Sequence, residues 1–291
     1  MVIDCHYHLE TRMQSIENLL KKMDQNGIEK TALMATMWDP PPETAEFVLK
    51  LLRLLLYNRP LRGLAKKLAA NFSPEGDIIL PKQTVKLYKD PDNESVAKAM
   101  EEHPDRFLCW IFVNPRGKND PVQEYEKWKD TPGFIGVKAH PFWHQFAPIE
   151  LLPLAEKVAE ARKPMLLHVG FDSHGDFLSL VRKVPELKLI LAHTGFPGYS
   201  DSWKLIKDKT NIWVDVSADA YVDEKATKKV VQYLGADRCL FGTDGPYGHK
   251  ADDGLFDNGF IKRRVERLFP GSEIRKKILG ENFEALIQQK T

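Results

Sequence analysis

The chain has 291 residues, of which 43% are hydrophobic and 29% charged, and its formal net charge is +1. This composition suits a globular core and excludes a chain-wide attraction to nucleic acid or to an anionic membrane. No apolar run approaches the roughly 18 residues of a membrane span, and the first residues lack the basic start and apolar core of a signal peptide. Cys5, Cys109 and Cys239 form no CxxC pair. We therefore expect a reduced, cytoplasmic protein with no nucleic-acid partner and no membrane span.

Eight short apolar segments alternate with helical patterns along the chain. We predict strands near residues 2–8, 29–37, 106–113, 134–140, 164–169, 188–194, 211–217 and 238–243. Leu19, Leu20 and Met23 mark the first helix, and Gly27 is placed to end it. Strict alternation predicts parallel strands joined by helical crossovers.

Eight such units are the number that closes a (β/α)8 barrel, a fold of about 250 residues. We therefore predict a single α/β domain over residues 1–291, a TIM barrel. The alternative is an open doubly wound sheet. Its ligand crevice forms where strand order reverses, which would not gather residues from strands one, five, six and eight.

Residues of about 39–105 are too many for one crossover and predict a helical insertion after strand 2. The segment contains a leucine-rich helix through Leu56 and a second candidate helix from about Leu64 to Ala70. In a barrel, an insertion at this point emerges at the carboxyl ends of the strands. We therefore expect it to form a lid over that face.

Residues 47–74 contain no acidic side chain and carry six basic ones: Lys50, Arg53, Arg59, Arg62, Lys66 and Lys67. Three interpretations are open. The helices could dock an apolar stripe on the barrel or on a second subunit while their cationic face is solvated. They could form an electropositive cap that draws in an anionic substrate, or they could bind a membrane surface. A homodimer would cover the apolar stripe, as would the lid itself.

Histidine and aspartate side chains stand where several predicted strands end. His6 and His8 share one face of the first strand because side chains alternate along a strand. His168, His193 and Asp244 end strands five, six and eight. Any one of them could be a hydrogen-bonded core histidine or a turn cap. Their joint placement predicts a metal site, since neutral imidazoles and a carboxylate suit zinc, manganese or iron.

In these motifs the chain resembles the amidohydrolase superfamily, and more narrowly its amidohydrolase-related branch of metal-dependent hydrolases and decarboxylases. The resemblance covers nearly the whole chain and rests on Asp4-x-His6-x-His8, Gly136-Val137-Lys138-Ala139-His140-Pro141, His168, Ala192-His193-Thr194-Gly195, Gly242-Thr243-Asp244 and Ile278-Leu279-Gly280-Glu281-Asn282-Phe283. It implies that one divalent ion is coordinated by His6, His8, His168 and Asp244. Zinc is the first expectation, and manganese and iron are the alternatives. His193 and Asp244 are the implied catalytic residues.

Lys138 and His140 share a face of the fourth strand, and we expect both to bind substrate at the mouth of the barrel. Three roles are open for Lys138. It could be a charge partner for a substrate anion beside one metal ion, a carboxylated lysine that bridges two metal ions, or a structural lysine in an ion pair.

The resemblance implies a metal-dependent hydrolase that acts on a small, anionic substrate. A divalent ion lowers the pKa of a bound water from about 15.7 to roughly 7, which supplies a nucleophile at neutral pH. Asp244 and His193 could then accept and donate the proton. The alternative is a metal-dependent nonoxidative decarboxylase of a small aromatic or unsaturated carboxylic acid. A third hypothesis is a barrel that binds metal without turnover.

Overall fold

The computed structural model describes residues 1–42, 44–69, 71–80 and 83–288. Eight of its strands form one parallel sheet in chain order. We label them β1 (Ile3–Leu9), β2 (Lys30–Ala35), β3 (Phe107–Val113), β4 (Phe134–Ala139), β5 (Pro164–Leu167), β6 (Lys188–Leu191), β7 (Ile212–Asp215) and β8 (Cys239–Leu240). All seven residues of β1 are buried, as expected for a parallel strand that is covered on both faces.

The chain after β8 returns to β1 and nearly closes the sheet. The backbone N–H of Cys5 donates to the carbonyl of Phe241 at 3.0 Å, and the N–H groups of Asp244 and His8 donate across the same seam at 2.7 Å. The predicted (β/α)8 TIM barrel is therefore confirmed. An open doubly wound sheet is excluded, because the first and last strands are neighbours.

Helices lie between the strands. The described residues form α1 (Ile16–Asn26), α2 (Glu46–Tyr57), α3 (Arg62–Ala69), α4 (Asn93–Glu102), α5 (Pro121–Trp128), α6 (Leu152–Glu160), α7 (Phe177–Lys183), α8 (Ser200–Ile206), α9 (Glu224–Leu234), α10 (Gly259–Leu268), α11 (Ser272–Lys276) and α12 (Asn282–Ile287). Ser15 caps the start of α1, and Gly27 ends it at φ 61°, a left-handed conformation that glycine adopts without strain. None of the described helices is long and apolar enough to cross a membrane.

The predicted helical insertion after strand 2 is confirmed. It comprises α2, α3 and a two-stranded antiparallel ribbon of Ile78–Ile79 and Thr84–Val85. Ala70, where we expected the second helix to end, lies outside the described residues. Helix α4 packs against β2 and β3 and is the crossover that joins these two strands, so the added segment ends before α4.

Polar contacts fasten the insertion to loops at the carboxyl ends of the strands. Arg53 donates to the carbonyl oxygen of Asp219 at 2.7 Å, and Arg62 donates to Asp201 at 2.9 Å. Lys66 forms an ion pair with Asp172. These three basic side chains thus contact barrel groups. The exposed large apolar side chains among the described residues of the segment are Phe47, Val48, Leu51, Leu54, Leu61, Leu64 and Ile79.

The seam between β8 and β1 is fixed by the buried carboxylate of Asp4. This carboxylate accepts the Thr243 hydroxyl at 2.6 Å, the Thr243 backbone N–H at 3.0 Å and the His6 backbone N–H at 3.1 Å. Asp4 and Thr243 are both buried, so the hydroxyl bond has no solvent competitor. The two residues therefore hold the strand that carries His6 beside the loop that carries Asp244.

Replacing Thr243 with valine keeps the shape of the side chain but removes the donor to Asp4. We expect Thr243→Val to lower the free energy of unfolding by about 1–3 kcal/mol, because a buried carboxylate oxygen loses its partner. Urea denaturation measures the change. The matched control is Thr227→Val, since the carbonyl of Asp223 to which the Thr227 hydroxyl donates also accepts the Thr227 N–H. Equal losses in the two variants would contradict the role of the seam bond.

Candidate metal centre

Three predicted ligands meet where β1 ends and the loop after β8 begins. The Nε2 atoms of His6 and His8 lie 3.2 Å and 3.5 Å from Oδ1 of Asp244. All three atoms lie within 4.8 Å of one another. His6 and His8 are buried, and the Asp244 side chain is 14% exposed. The alternation of side chains in β1 therefore places both imidazoles on the same carboxylate, as the sequence predicts.

The second ring nitrogen of each histidine shows which nitrogen carries the proton. His6 Nδ1 lies 3.0 Å from Oδ2 of Asp215, and His8 Nδ1 lies 3.1 Å from the carbonyl oxygen of Ala35. A carboxylate and a carbonyl can only accept, so both Nδ1 atoms are protonated and both Nε2 atoms present lone pairs. Those two nitrogens lie beside Oδ1 of Asp244, so that two neutral donors and one carboxylate face the same point. The donor set therefore fits a divalent metal ion.

Burial keeps the imidazoles of His6, His168 and His193 neutral. It lowers the pKa of His6 to about 4 and lowers the pKa values of His168 and His193 as well. Neutral imidazoles do not have to lose a proton before they coordinate a metal, and Asp244 adds a negative charge. The site thus has the composition that zinc, manganese and iron accept.

His168 and His193 lie beside this group of three. His168 Nδ1 is 3.1 Å from His193 Nε2, and His193 Nε2 is 3.9 Å from Oδ2 of Asp244. His168 Nε2 is buried and has no partner among the described residues, which is the state expected of a nitrogen that awaits a ligand. The structure brings His193 towards Asp244, and it places His168 next to His193, outside the group formed by His6, His8 and Asp244.

Lys138 and His140 reach the same region from β4. Lys138 is buried, its Nζ lies 3.4 Å from His6 Nε2, and burial lowers its pKa to about 8. His140 Nδ1 accepts the backbone N–H of Trp143 at 3.1 Å. The His140 proton is therefore on Nε2, a buried donor without a partner among the described residues. The His140 ring also lies 3.9 Å, centroid to centroid, from the ring of His168.

Backbone strain concentrates at the ends of β6 and β8. His193, Thr194 and Asp244 have φ values of 53°, 55° and 62°, in the left-handed region that costs a non-glycine residue about 1–2 kcal/mol. Hydrogen bonds hold two of them there. The Asp215 carboxylate accepts the backbone N–H of His193 at 2.9 Å, and the backbone carbonyl of His6 accepts the backbone N–H of Asp244 at 2.7 Å. Strain of this kind, fixed by its surroundings, is typical of functional sites.

Asp215 and Ser217 lie outside the motifs of the sequence, although both contact the histidines. Asp215 contacts His6, and Ser217 Oγ lies 2.8 Å from His193 Nδ1. Asp215 ends the apolar segment Ile212-Trp213-Val214-Asp215 in the same manner as the predicted ligands end theirs. A polar residue directly after an apolar strand is the same pattern that marks His168 and His193, so this pattern also marks Asp215 on strand seven.

The family model described as Amidohydrolase matches residues 3–287. The chain belongs to the amidohydrolase family. No curated protein sequence matches the chain, but solved structures do.

Three of these solved structures share the barrel. A 2,6-dihydroxybenzoate decarboxylase from Rhizobium is 16% identical, with 98% of each chain covered and a TM-score of 0.60. A candidate 2-pyrone-4,6-dicarboxylic acid hydrolase from Pseudomonas putida is 16% identical, with coverage of 98% of this chain and 97% of that one and a TM-score of 0.61. A 5-carboxyvanillate decarboxylase from Novosphingobium aromaticivorans, with bound manganese, is 15% identical, with coverage of 99% and 97% and a TM-score of 0.61. At these identities the likeness shows the fold.

The buried histidines predict that the fold is sensitive to acid. Burial lowers the pKa of His144 to about 4, whereas a histidine in an unfolded chain has a pKa of about 6.5. Between those values the unfolded chain binds a proton that the folded chain does not. The free energy of unfolding therefore falls as the pH drops from about 6.5 towards 4, by at most about 1.4 kcal/mol per pH unit for each such histidine.

Urea denaturation at several pH values tests this with His144→Gln. Glutamine can keep the donor to the Tyr88 carbonyl that His144 Nε2 supplies at 3.1 Å, but it cannot take up a proton. Below pH 6.5 the free energy of unfolding of the variant should fall less steeply with pH than that of the wild type. The difference in slope should correspond to about one bound proton. An unchanged slope would show that His144 does not titrate as its burial requires.

Proposed function

We propose that the chain is a metal-dependent hydrolase of a small, anionic substrate. The observation that carries this proposal is the convergence of the Nε2 atoms of His6 and His8 on the carboxylate of Asp244, while both Nδ1 atoms lie on acceptor oxygens. In this proposal His6, His8, His168 and Asp244 hold one divalent ion, with zinc as the first candidate. Such an ion would supply Lewis-acid polarisation of a substrate carbonyl and activation of water.

Asp244 and His193 would move the proton. The two carboxylate oxygens of Asp244 face different partners, since Oδ1 lies near His6 and His8 whereas Oδ2 lies 3.9 Å from His193 Nε2. Asp244 can thus accept the proton that an attacking water loses. His193 can receive it on Nε2 in exchange for the hydrogen bond from His168 Nδ1, and can return it to the leaving group. Water adds to the carbonyl carbon, the bond to the leaving group breaks, and that group takes the proton.

Lys138 and His140 would bind the substrate anion. A protonated Lys138 supplies the positive charge that a buried carboxylate needs, and His140 Nε2–H is a buried donor without a partner among the described residues. The insertion would act as a lid that is fastened over the carboxyl ends of the strands. Its residues Arg53, Arg62 and Lys66 would hold it there, because they already contact barrel groups.

Nonoxidative decarboxylation is the second candidate, favoured by a buried lysine beside the site and by solved relatives named as decarboxylases. In that reaction the carbon–carbon bond to the carboxylate breaks, carbon dioxide leaves, and a proton replaces it on the ring or alkene carbon. His193 and Asp244 would supply that proton. The two candidates share the metal site and differ in the bond that breaks.

Metal analysis tests the shared premise. We expect the purified wild-type protein to hold about one divalent ion per chain after exposure to zinc or manganese. His6→Ala and His168→Ala should lose that ion while they keep the circular-dichroism spectrum of the folded protein. His249→Ala is the matched control, because His249 is exposed, and it should retain the ion. Retention of metal in both His6→Ala and His168→Ala would contradict the ligand assignment.

The reaction itself is tested with two sets of small carboxylates. We expect the metal-loaded protein to cleave a lactone, ester or amide that carries a carboxylate, and His193→Gln to lower kcat by about 10²–10⁴-fold with metal retained. Proton release and product chromatography measure hydrolysis, and carbon dioxide release from hydroxybenzoate-like acids measures decarboxylation. Release of carbon dioxide without cleavage in the first set would overturn the hydrolase proposal in favour of the second candidate.

A further inference from the structure

We propose that Asp215 and Ser217 are positioning residues that set the tautomers of His6, His193 and His168, so that His6 and His168 present unprotonated Nε2 atoms to the metal. This inference rests on the proposed metal-dependent function. It concerns hydrogen bonds that exist without the metal, so it can be tested separately.

Asp215 is fully buried at the end of β7 and accepts four hydrogen bonds. Its Oδ2 accepts His6 Nδ1–H at 3.0 Å. Its Oδ1 accepts the backbone N–H groups of His193 at 2.9 Å and Ser217 at 3.1 Å, together with the hydroxyl of Ser217. Oδ1 accepts three of these donors and Oδ2 accepts one, and hydrogen bonds donated to a carboxylate favour its ionised form. Asp215 is therefore an acceptor at both oxygens, and His6 must carry its proton on Nδ1.

Ser217 sets the tautomer of His193 and, through His193, that of His168. The single hydroxyl proton of Ser217 is donated to Asp215, so the lone pairs of Ser217 Oγ must accept His193 Nδ1–H at 2.8 Å. A neutral His193 then has an unprotonated Nε2, which accepts His168 Nδ1–H at 3.1 Å. His168 Nε2 is consequently unprotonated, and it is the buried atom without a partner among the described residues.

One carboxylate thus governs two of the three proposed histidine ligands. His6 is set directly and His168 through Ser217 and His193, whereas His8 is set independently by the Ala35 carbonyl. An imidazole protonated on Nε2 cannot coordinate through that atom. His6, His193 and Asp215 also lie close enough together to resemble a second metal site, but the Nδ1 protons of both histidines are already donated to Asp215 and Ser217. This group is a hydrogen-bonded support for the metal site.

Nitrogen-15 NMR of histidine-labelled, metal-free protein reads the tautomers directly. In the wild type we expect His6, His193 and His168 to be protonated on Nδ1. In Asp215→Asn the single amide oxygen should stay with the two backbone N–H groups, which turns the amide NH₂ towards His6. His6 should then switch to the Nε2–H tautomer. In Ser217→Ala, His6 should keep its tautomer while His193 and His168 lose their single, defined forms.

Asp219→Asn is the matched control. Asp219 lies in the loop after β7, where its carboxylate is half-buried and interacts electrostatically with Arg264 and His249. The same amide substitution there should leave the three tautomers as in the wild type. If Asp215→Asn does not fold, Ser217→Ala still tests the path from Ser217 to His168.

Metal affinity supplies the second measurement. Asp215→Asn should weaken zinc or manganese binding by about 10–100-fold, the effect typical of losing the partner of a ligating histidine. Wild-type tautomers in both variants would overturn the inference, whether or not the protein binds metal. A wild type that binds no metal but shows the expected tautomers would instead contradict the proposed function alone.

Discussion

Two histidine nitrogens and a carboxylate oxygen meet inside the protein, and the hydrogen bonds that aim them at one another organise the candidate site. His6 and His8 each use one ring nitrogen to donate to an acceptor-only group, Asp215 or the Ala35 carbonyl. Their other nitrogens therefore approach Asp244 without a proton to share. A divalent ion held between the three residues would accept both nitrogens and the oxygen as ligands. The hydrogen-bond partners of the Nδ1 atoms thus decide which ring nitrogens are available as ligands.

The barrel makes this convergence possible because it closes. His6 and His8 come from the first strand and Asp244 from the loop after the last, and only a closed sheet makes those elements neighbours. The bonds of Asp4 to Thr243 hold that seam. On the neighbouring strands, Asp215 at the end of β7 reaches both His6 and the backbone of His193. The ends of β1, β6, β7 and β8 are therefore joined by hydrogen bonds as well as by the sheet.

Much of the fold and part of the candidate site could be predicted from the sequence, for identifiable reasons. Period-two alternation placed His6 and His8 on one face, and the repeated strand and helix pattern placed their partners at the same end of a barrel. The role of Ser217 could not be predicted, because it depends on the direction in which one hydroxyl proton points. The insertion was also hard to interpret, since its cations pair with Asp172 and Asp201, more than 100 residues away in sequence. Part of the positive charge that the sequence shows is therefore paired with carboxylates in the fold.

The central claim is that the Nε2 atoms of His6 and His8 and the carboxylate of Asp244 hold one divalent ion. Anomalous diffraction at the absorption edge of the metal, from crystals grown with zinc or manganese, tests it most directly. We predict one strong peak about 2.0–2.2 Å from both Nε2 atoms and from an oxygen of Asp244. The absence of a peak between these three residues, or a peak on the Nδ1 side of His6 beside Asp215, would contradict the account.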